Sequence, residues 1–126
     1  GPLPASSIPI SIISSFSTTY NCIIVVKDAI TMTIFKEKVF INTSGNPALA
    51  TAGTGDVLMG IITGIVAQGY DLLDAAIFGV YLHGRTADIA IEEKGYQSFI
   101  ASDSIKNISK AYLDMFKQPE EIKEGE

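Results

Sequence analysis

The run Asn46-Pro47-Ala48-Leu49-Ala50-Thr51-Ala52-Gly53-Thr54-Gly55-Asp56, set directly before an apolar helical pattern, constrains this chain more than any other segment. Gly53 and Gly55 can adopt backbone angles closed to other residues, so successive N–H groups can turn to one side and form a concavity for an anion. A helix starting there adds its unpaired N–H groups and the positive end of its dipole. Asp56 is the unexpected member, because a carboxylate beside an anion site opposes simple phosphate holding. It fits a reaction in which a hydroxyl loses its proton as a phosphoryl group arrives. Asp56 would then act as base, favoured in its charged form by the helix end, while the loop N–H groups stabilise the transferred charge. Alone, Gly-x-Gly-Asp is also an ordinary tight loop with a helix cap, and for the bare motif that plain reading is the stronger one.

The pattern around the loop predicts its neighbours. Ile8, Ile12, Ile13 and Phe16 are spaced for one face of a helix, which the many Ser and Thr weaken. Asn21 punctuates, and Ile23–Val26 reads as a strand buried on both faces. Thr31–Phe35 alternates, Lys36-Glu37-Lys38 turns, and Val39-Phe40-Ile41 returns as a hairpin. After the loop, Val57, Leu58, Ile61, Ile62, Ile65 and Val66 give a strong helical period, with Gly60 and Gly64 expected to permit close packing of another backbone. Gln68-Gly69 stops that helix, Asp71 caps a long one reaching Lys94-Gly95, and Ser102 caps a final helix with Ile105, Ile108, Tyr112 and Met115 on one face. Few strands are available for a layered α/β domain, so the chain is expected to be the later part of a larger one.

Composition removes several function classes. The chain has 126 residues, enough for one small domain, and its 47% hydrophobic and 18% charged content is that of a globular protein. A net charge of −5 leaves no basic stripe for a nucleic-acid partner. No apolar run is long enough to span a bilayer, and the N-terminus does not read as a signal peptide, so no membrane partner and a cytoplasmic location are expected. The single Cys22 cannot form an internal disulfide and reads as a small apolar side chain inside a strand. His83, the one histidine, is expected to be a packed, hydrogen-bonded core residue. Asp88 and the Glu92-Glu93 pair are expected to be solvated helix charges. No His/Cys/Asp cluster has metal-ligand spacing, so no protein-held metal site is expected.

Asn46-Pro47, Ala50-Thr51-Ala52-Gly53-Thr54-Gly55-Asp56-Val57-Leu58, Gly60-Ile61, Tyr81-Leu82-His83-Gly84 and Ala101-Ser102-Asp103 together closely resemble the ADP/ATP-dependent NAD(P)H-hydrate dehydratases. These are carbohydrate-kinase-like members of the ribokinase-like superfamily, often found as the C-terminal domain of a bifunctional repair protein. The resemblance runs from about Tyr20 to Phe116. It implies an α/β, ribokinase-like layered fold of which the chain holds the C-terminal part: a helix, about three strands, the glycine loop and three helices. Residues 3–117 would form that portion, and 118–126 a charged, disordered tail.

The implied reaction is repair of hydrated NADH and NADPH, in which ADP or ATP, with Mg²⁺ on its phosphates, phosphorylates the ring hydroxyl and phosphate is then eliminated. Asp56 would be catalytic. Lys27, Asp28, Ala29, Ile30, Thr31, Asn46, Thr51, Gly53, Thr54 and Gly55 would bind the nucleotide. Asp28 stands where the family has glycine after the lysine, and its charge would oppose phosphates. On the residues alone, Lys27 is equally a lysine solvated at a strand end, and Thr51 and Thr54 are nearly as well explained as turn-stabilising hydroxyls. Ala48-Leu49 replaces the usual glycine and methionine, and Arg85-Thr86-Ala87-Asp88 replaces a smaller, glycine-containing run. A homo-oligomer, an epimerase domain linked in the parent protein, and weak or absent turnover by this chain alone are expected. The alternatives are another ribokinase-like small-molecule kinase and a non-catalytic nucleotide-binding or assembly module.

Overall fold

The computed structural model describes residues 8–115, so the tail at 118–126 lies outside the described residues. The elements run α1 (Ile10–Tyr20), β1 (Ile24–Val26), β2 (Met32–Phe35), β3 (Lys38–Ile41), a 3-10 turn (Pro47–Ala50), α2 (Thr54–Ala67), α3 (Leu72–Lys94) and α4 (Ala101–Lys106). Residues 108–115 are helical as well. The expected order of helix, strands, loop and helices is the observed one. Among the described residues the chain divides into two compact units, one of 8–43 and 62–80, the other of 44–61 and 81–115. Helices α2 and α3 contribute residues to both.

The first unit is built on a three-stranded antiparallel meander in the order β1-β2-β3. Ile34 of β2 sits opposite Ile24 on one side and Val39 on the other. Thr33 and Ile34 are both buried. Neighbouring residues of a strand point to opposite faces, so β2 is covered on both. That is not true of β1, where only Val26 is buried and Ile24 and Val25 are half-buried, contrary to the expected strand buried on both faces. Among the described residues β1 is an edge of the sheet, and a groove of about 470 Å³ lies open along it, lined in part by Ile12, Phe16, Ile24 and Val25.

The face that α1 packs is also not the expected apolar stripe. Ile12 and Phe16 are 59% and 52% exposed, while Ser17 is fully buried. Ser17 Oγ donates to the Cys22 carbonyl at 2.6 Å and accepts from the Lys36 N–H at 2.7 Å. Ser14 Oγ donates to the Lys36 carbonyl. The serines that weaken α1 as an isolated helix are thus what fastens it to the β2–β3 turn. Lys36 needs that support, because its φ of 57° lies in the left-handed region that side chains disfavour. Cys22 is half-buried in the turn before β1, rather than inside a strand.

The remaining helices follow their signals with two exceptions. Asp71 caps α3 by accepting the Leu73 N–H at 3.2 Å, as its position predicts. The last helix is capped by Asp103, which reaches back to the Ile100 N–H at 2.8 Å, and not by Ser102. It is also interrupted at Asn107, and Ile105 and Tyr112 are 56% and 46% exposed. Among the described residues, no atom beyond their own helix and chain neighbours lies within 4 Å of where a Cβ on Gly60 or Gly64 would stand, so no other backbone makes the expected close approach there.

Ser17→Ala removes a hydroxyl that serves two backbone partners, and is expected to lower stability by about 1–3 kcal/mol. Chemical denaturation checks this against Ser15→Ala, whose exposed position should keep the change within about 0.5 kcal/mol.

Candidate active site

The second unit begins where the chain leaves the hairpin and crosses α3 at Gly84. A Cβ at Gly84 would overlap Ser44 Oγ and come within 2.8 Å of the Gly45 nitrogen. Only glycine allows the two backbones to lie this close. Ser44 Oγ donates to the Tyr81 carbonyl at 2.8 Å. The Gly45 N–H donates to Asp88 Oδ2 at 3.1 Å, and Asn46 Nδ2 donates to Asp88 Oδ1 at 2.8 Å. Asp88 is therefore not the solvated helix charge that its sequence position suggests. It faces the loop, and Arg85 Nη1 approaches its Oδ2 at 3.5 Å while Arg85 Nη2 holds Asp114 at 2.9 Å. Burial opposes the Arg85 charge, but the hydrogen bond and charge of Asp114, and then Asp88, outweigh it and raise its pKa.

Asn46 spends both ends of its amide inside the fold. Its Oδ1 accepts the Ala48 N–H at 3.0 Å and so caps the 3-10 turn at Pro47–Ala50. The turn places Ala48 in a small core with Ala87, Ala90 and Phe99, against which Leu49 and Ile91 pack. From there the chain enters α2. Thr54 is 2% exposed, and its hydroxyl lies 2.6 Å from the Leu49 carbonyl and 2.9 Å from that of Thr51. That hydroxyl closes the loop, the turn-stabilising use that the residues alone allowed, and Thr51 is half-buried beside it.

Gly53 has a φ of +89°, and a Cβ there would lie 3.2 Å from the Ala101 Cβ. The loop thus exposes bare backbone at Gly53, with Gly55 half-buried after it. Helix geometry leaves the N–H groups of Gly55 and Asp56 with no intrahelical acceptor. Asp56 is the third residue of α2 and is exposed. It stands at a groove of about 390 Å³ that Val57, Gly60, Ile61, Ile105 and Ile108 also line. The missing side chain at Gly60 keeps the groove wall low.

The five remaining candidates, Lys27, Asp28, Ala29, Ile30 and Thr31, belong to the first unit. They form the β1–β2 connection, in which Lys27 to Ile30 are exposed and Thr31 is half-buried. Asp28 Oδ1 accepts the Ala29 N–H at 2.8 Å, which gives the replacement of glycine a local structural use. In the second unit His83 is buried, as expected for a core histidine. Glu93 pairs with Lys110 at 2.6 Å on the surface. Among the described residues no group of three or more His, Cys, Asp or Glu could hold a metal ion, and no helix is long and apolar enough to cross a membrane.

Sequence reasoning missed Gly84 and Asp88 as builders of the loop, and Asp103 as the anchor of α4. One signal was present. Gly84, Ala87, Asp88 and Ile91 recur at i, i+3, i+4 and i+7, so Asp88 stands inside a stripe that otherwise packs. Asp103 is 2% exposed, accepts from Ile100 and pairs with Lys94 Nζ at 2.9 Å.

Gly84→Ala forces the two backbones apart and breaks the Ser44 and Gly45 bonds together. A loss of about 2–3 kcal/mol is expected, at the upper end of overpacking effects, and is read by thermal unfolding. The Ile100 N–H first, and Lys94 second, hold the Asp103 pKa below its ordinary 3.8. Its stabilisation is fully present above that ordinary value and is lost as pH falls through the lower folded-state value. Asp103→Asn should therefore flatten the acid limb of a stability-against-pH curve.

A family model described as NAD(P)H-hydrate dehydratase, of the carbohydrate-kinase type, matches residues 7–110. The chain is 38% identical over 95 residues to the bifunctional NAD(P)H-hydrate repair enzyme Nnr of Moorella thermoacetica, covering 75% of this chain and 18% of that protein. It is 44% identical over 68 residues to the ADP-dependent (S)-NAD(P)H-hydrate dehydratase of Neisseria meningitidis, covering 54% of this chain and 23% of that one. Among solved structures it is similar to the ADP/ATP-dependent NAD(P)H-hydrate dehydratase of Bacillus subtilis co-crystallised with ATP/Mg²⁺. The TM-score is 0.76 at 28% identity, over 82% of this chain and 38% of that one. A ribokinase-like superfamily protein of Enterococcus faecalis is similar at a TM-score of 0.70 and 30% identity, over 88% of this chain and 39% of that one. The chain spans about a fifth of the length of these curated relatives. By sequence and by its α/β, ribokinase-like fold, the chain belongs to the NAD(P)H-hydrate dehydratase family.

Proposed function

We propose that this chain supplies the phosphoryl-transfer wall of an ADP- or ATP-dependent NAD(P)H-hydrate dehydratase. The observation that supports this best is the exposed Asp56 carboxylate in the first turn of α2, next to the bare backbone of Gly53 and at the end of an apolar groove. Residues 3–117 would be the C-terminal portion of the catalytic domain, with 118–126 as a tail.

The loop suits a phosphate. Gly53 presents no side chain, and the N–H groups of Gly55 and Asp56 lie where helix geometry leaves them unpaired. ADP or ATP, with Mg²⁺ accompanying its phosphates, would supply the phosphoryl group. Asp56 would accept the proton of the hydroxyl on the hydrated nicotinamide ring, which raises the nucleophilicity of that oxygen. The loop N–H groups would stabilise the charge that gathers on phosphate oxygens, fixed in place before the reaction begins. Loss of phosphate from that carbon, together with loss of a proton from the neighbouring ring carbon to solvent, then restores the ring double bond. Gly53, Gly55 and Thr51 are the proposed phosphate contacts of this unit. Thr54 and Asn46 would act by shaping the loop, since their polar atoms are engaged within it. In the first unit, Lys27 to Thr31 would contact the nucleotide, with the exposed Lys27 ammonium as the favourable charge and Asp28 as an opposing one.

The same reading assigns hydrated NADH or NADPH as substrate, a cytoplasmic location and a homo-oligomer. It also includes a linked epimerase domain in the parent protein, in line with relatives named bifunctional.

The test is restoration of NADH absorbance from hydrated NADH with ADP or ATP, on the chain alone and on the intact gene product. Asp56→Asn is expected to lower the rate about 10²–10⁴-fold while nucleotide affinity changes little. A stable phosphorylated product with no restored absorbance would instead assign a small-molecule kinase. Rapid repair that survives Asp56→Asn would remove Asp56 as the base.

A further inference from the structure

Asp88 lies on α3, 32 positions after Asp56, yet it begins an unbroken series of bonds that ends at the first residue of α2. Its two carboxylate oxygens accept from the Gly45 N–H at 3.1 Å and the Asn46 amide at 2.8 Å. Asn46 in turn accepts from Ala48 at 3.0 Å. The Thr51 N–H donates to the Ala48 carbonyl at 3.0 Å, and the Thr54 hydroxyl meets the Leu49 and Thr51 carbonyls. Arg85, itself held by Asp114, approaches Asp88 at 3.5 Å from the Oδ2 that Gly45 also uses.

We propose that Asp88 is a positioning residue that sets the geometry of the Gly53–Asp56 loop, and through it the hold on a nucleotide phosphate. The argument needs both acceptors of the carboxylate. An asparagine at 88 keeps the size but offers one acceptor and one donor group. Its amide nitrogen would face either the Gly45 N–H or the Asn46 amide donor, and two donors cannot satisfy each other. The direction of the 46–88 bond can, however, be reversed as a pair. With Asp at 46 and Asn at 88, the Asn amide donates to the Asp, its oxygen accepts from Gly45, and the other Asp oxygen still accepts from Ala48.

The nucleotide part of this proposal rests on the function proposed above, so two readouts are taken on the same proteins. One is amide hydrogen exchange over residues 45–56, compared with exchange in β1–β3; the other is ADP affinity by calorimetry. Asp88→Asn is expected to raise exchange in 45–56 without a matching rise in the sheet, and to weaken ADP binding about tenfold. The double variant Asn46→Asp/Asp88→Asn is expected to return both toward wild type. Should Asp88→Asn fail to fold, Asn46→Asp alone carries the test, because it keeps an acceptor for Ala48 but sets a carboxylate with no donor against Asp88. Wild-type exchange across 45–56 in the single variant, or no recovery in the double, overturns the clamp. If the wild-type chain binds no ADP, the nucleotide reading fails by itself and the exchange comparison still decides the clamp. If exchange recovers in the double variant but ADP affinity does not, Asn46 touches the nucleotide directly and the proposal's second half is overturned.

Discussion

The close approach of the Ser44–Gly45 backbone to Gly84 is the constraint on which the second unit depends. At this separation the argument is steric before it is energetic, since any Cβ at 84 would occupy space already held by Ser44. The hydrogen bonds that follow are individually worth about 1 kcal/mol each. They cannot form at all unless the two backbones first come together. Ser44 to Tyr81, Gly45 to Asp88 and Asn46 to Asp88 are therefore consequences of one missing side chain. The turn that buries Ala48 against Ala87, Ala90 and Phe99 follows from them, and α2 follows from the turn.

Two aspartates occupy first turns of helices in this unit and meet opposite fates. Asp103 is buried at the start of α4, where it accepts the Ile100 N–H and pairs with Lys94. Its charge is fully used in holding the chain. Asp56 occupies the corresponding third position of α2 but stays exposed at a groove. Helix ends favour a carboxylate in both cases, so the dipole does not separate them. What separates them is the glycine at 53, which brings no side chain over the helix start, and the closure of the loop by Thr54 rather than by Asp56. The base of the proposed reaction has to keep its oxygens for a substrate, and of the two carboxylates Asp56 is the exposed one.

Much of the fold is legible in periodicity. The stripe from Val57 to Val66 marks α2, Asp71 marks the start of α3, and the alternation of Thr31–Phe35 with its return at Val39–Ile41 marks the hairpin. Apolar pattern names faces but does not say what covers them. Ile23–Val26 has the composition of a doubly buried strand, yet the described residues cover it only at Val26. Polar anchors are harder still. Ser17 looks like a flaw in α1 until Lys36 is brought to it, and Asp88 looks solvated until Gly45 and Asn46 arrive from more than forty positions away. Such bonds leave no period in the sequence. For the candidate site, the loop and Asp56 stand out by residue chemistry, whereas the groove does not, because nothing in the local pattern tells that Ile105 and Ile108, about fifty positions on, line it with Asp56.

The residues on which the family resemblance rests become coherent once their contacts are known. Asn46, Gly84 and Asp103 touch backbone and shape the loop or its surroundings, whereas Gly53 and Asp56 stay exposed and Gly55 half-buried, the three that the proposed reaction uses. Ala101 belongs to the first group for a reason of size. It starts α4 at the point where a Cβ on Gly53 would stand 3.2 Å away, so the two positions share one small volume. A side chain at 53 would need both a left-handed backbone and the space that Ala101 fills, and a larger residue at 101 would press on the loop from the other side. Smallness at 101 and glycine at 53, nearly fifty positions apart, are therefore a single packing requirement, and it falls on the backbone that faces the phosphate in the proposed reaction.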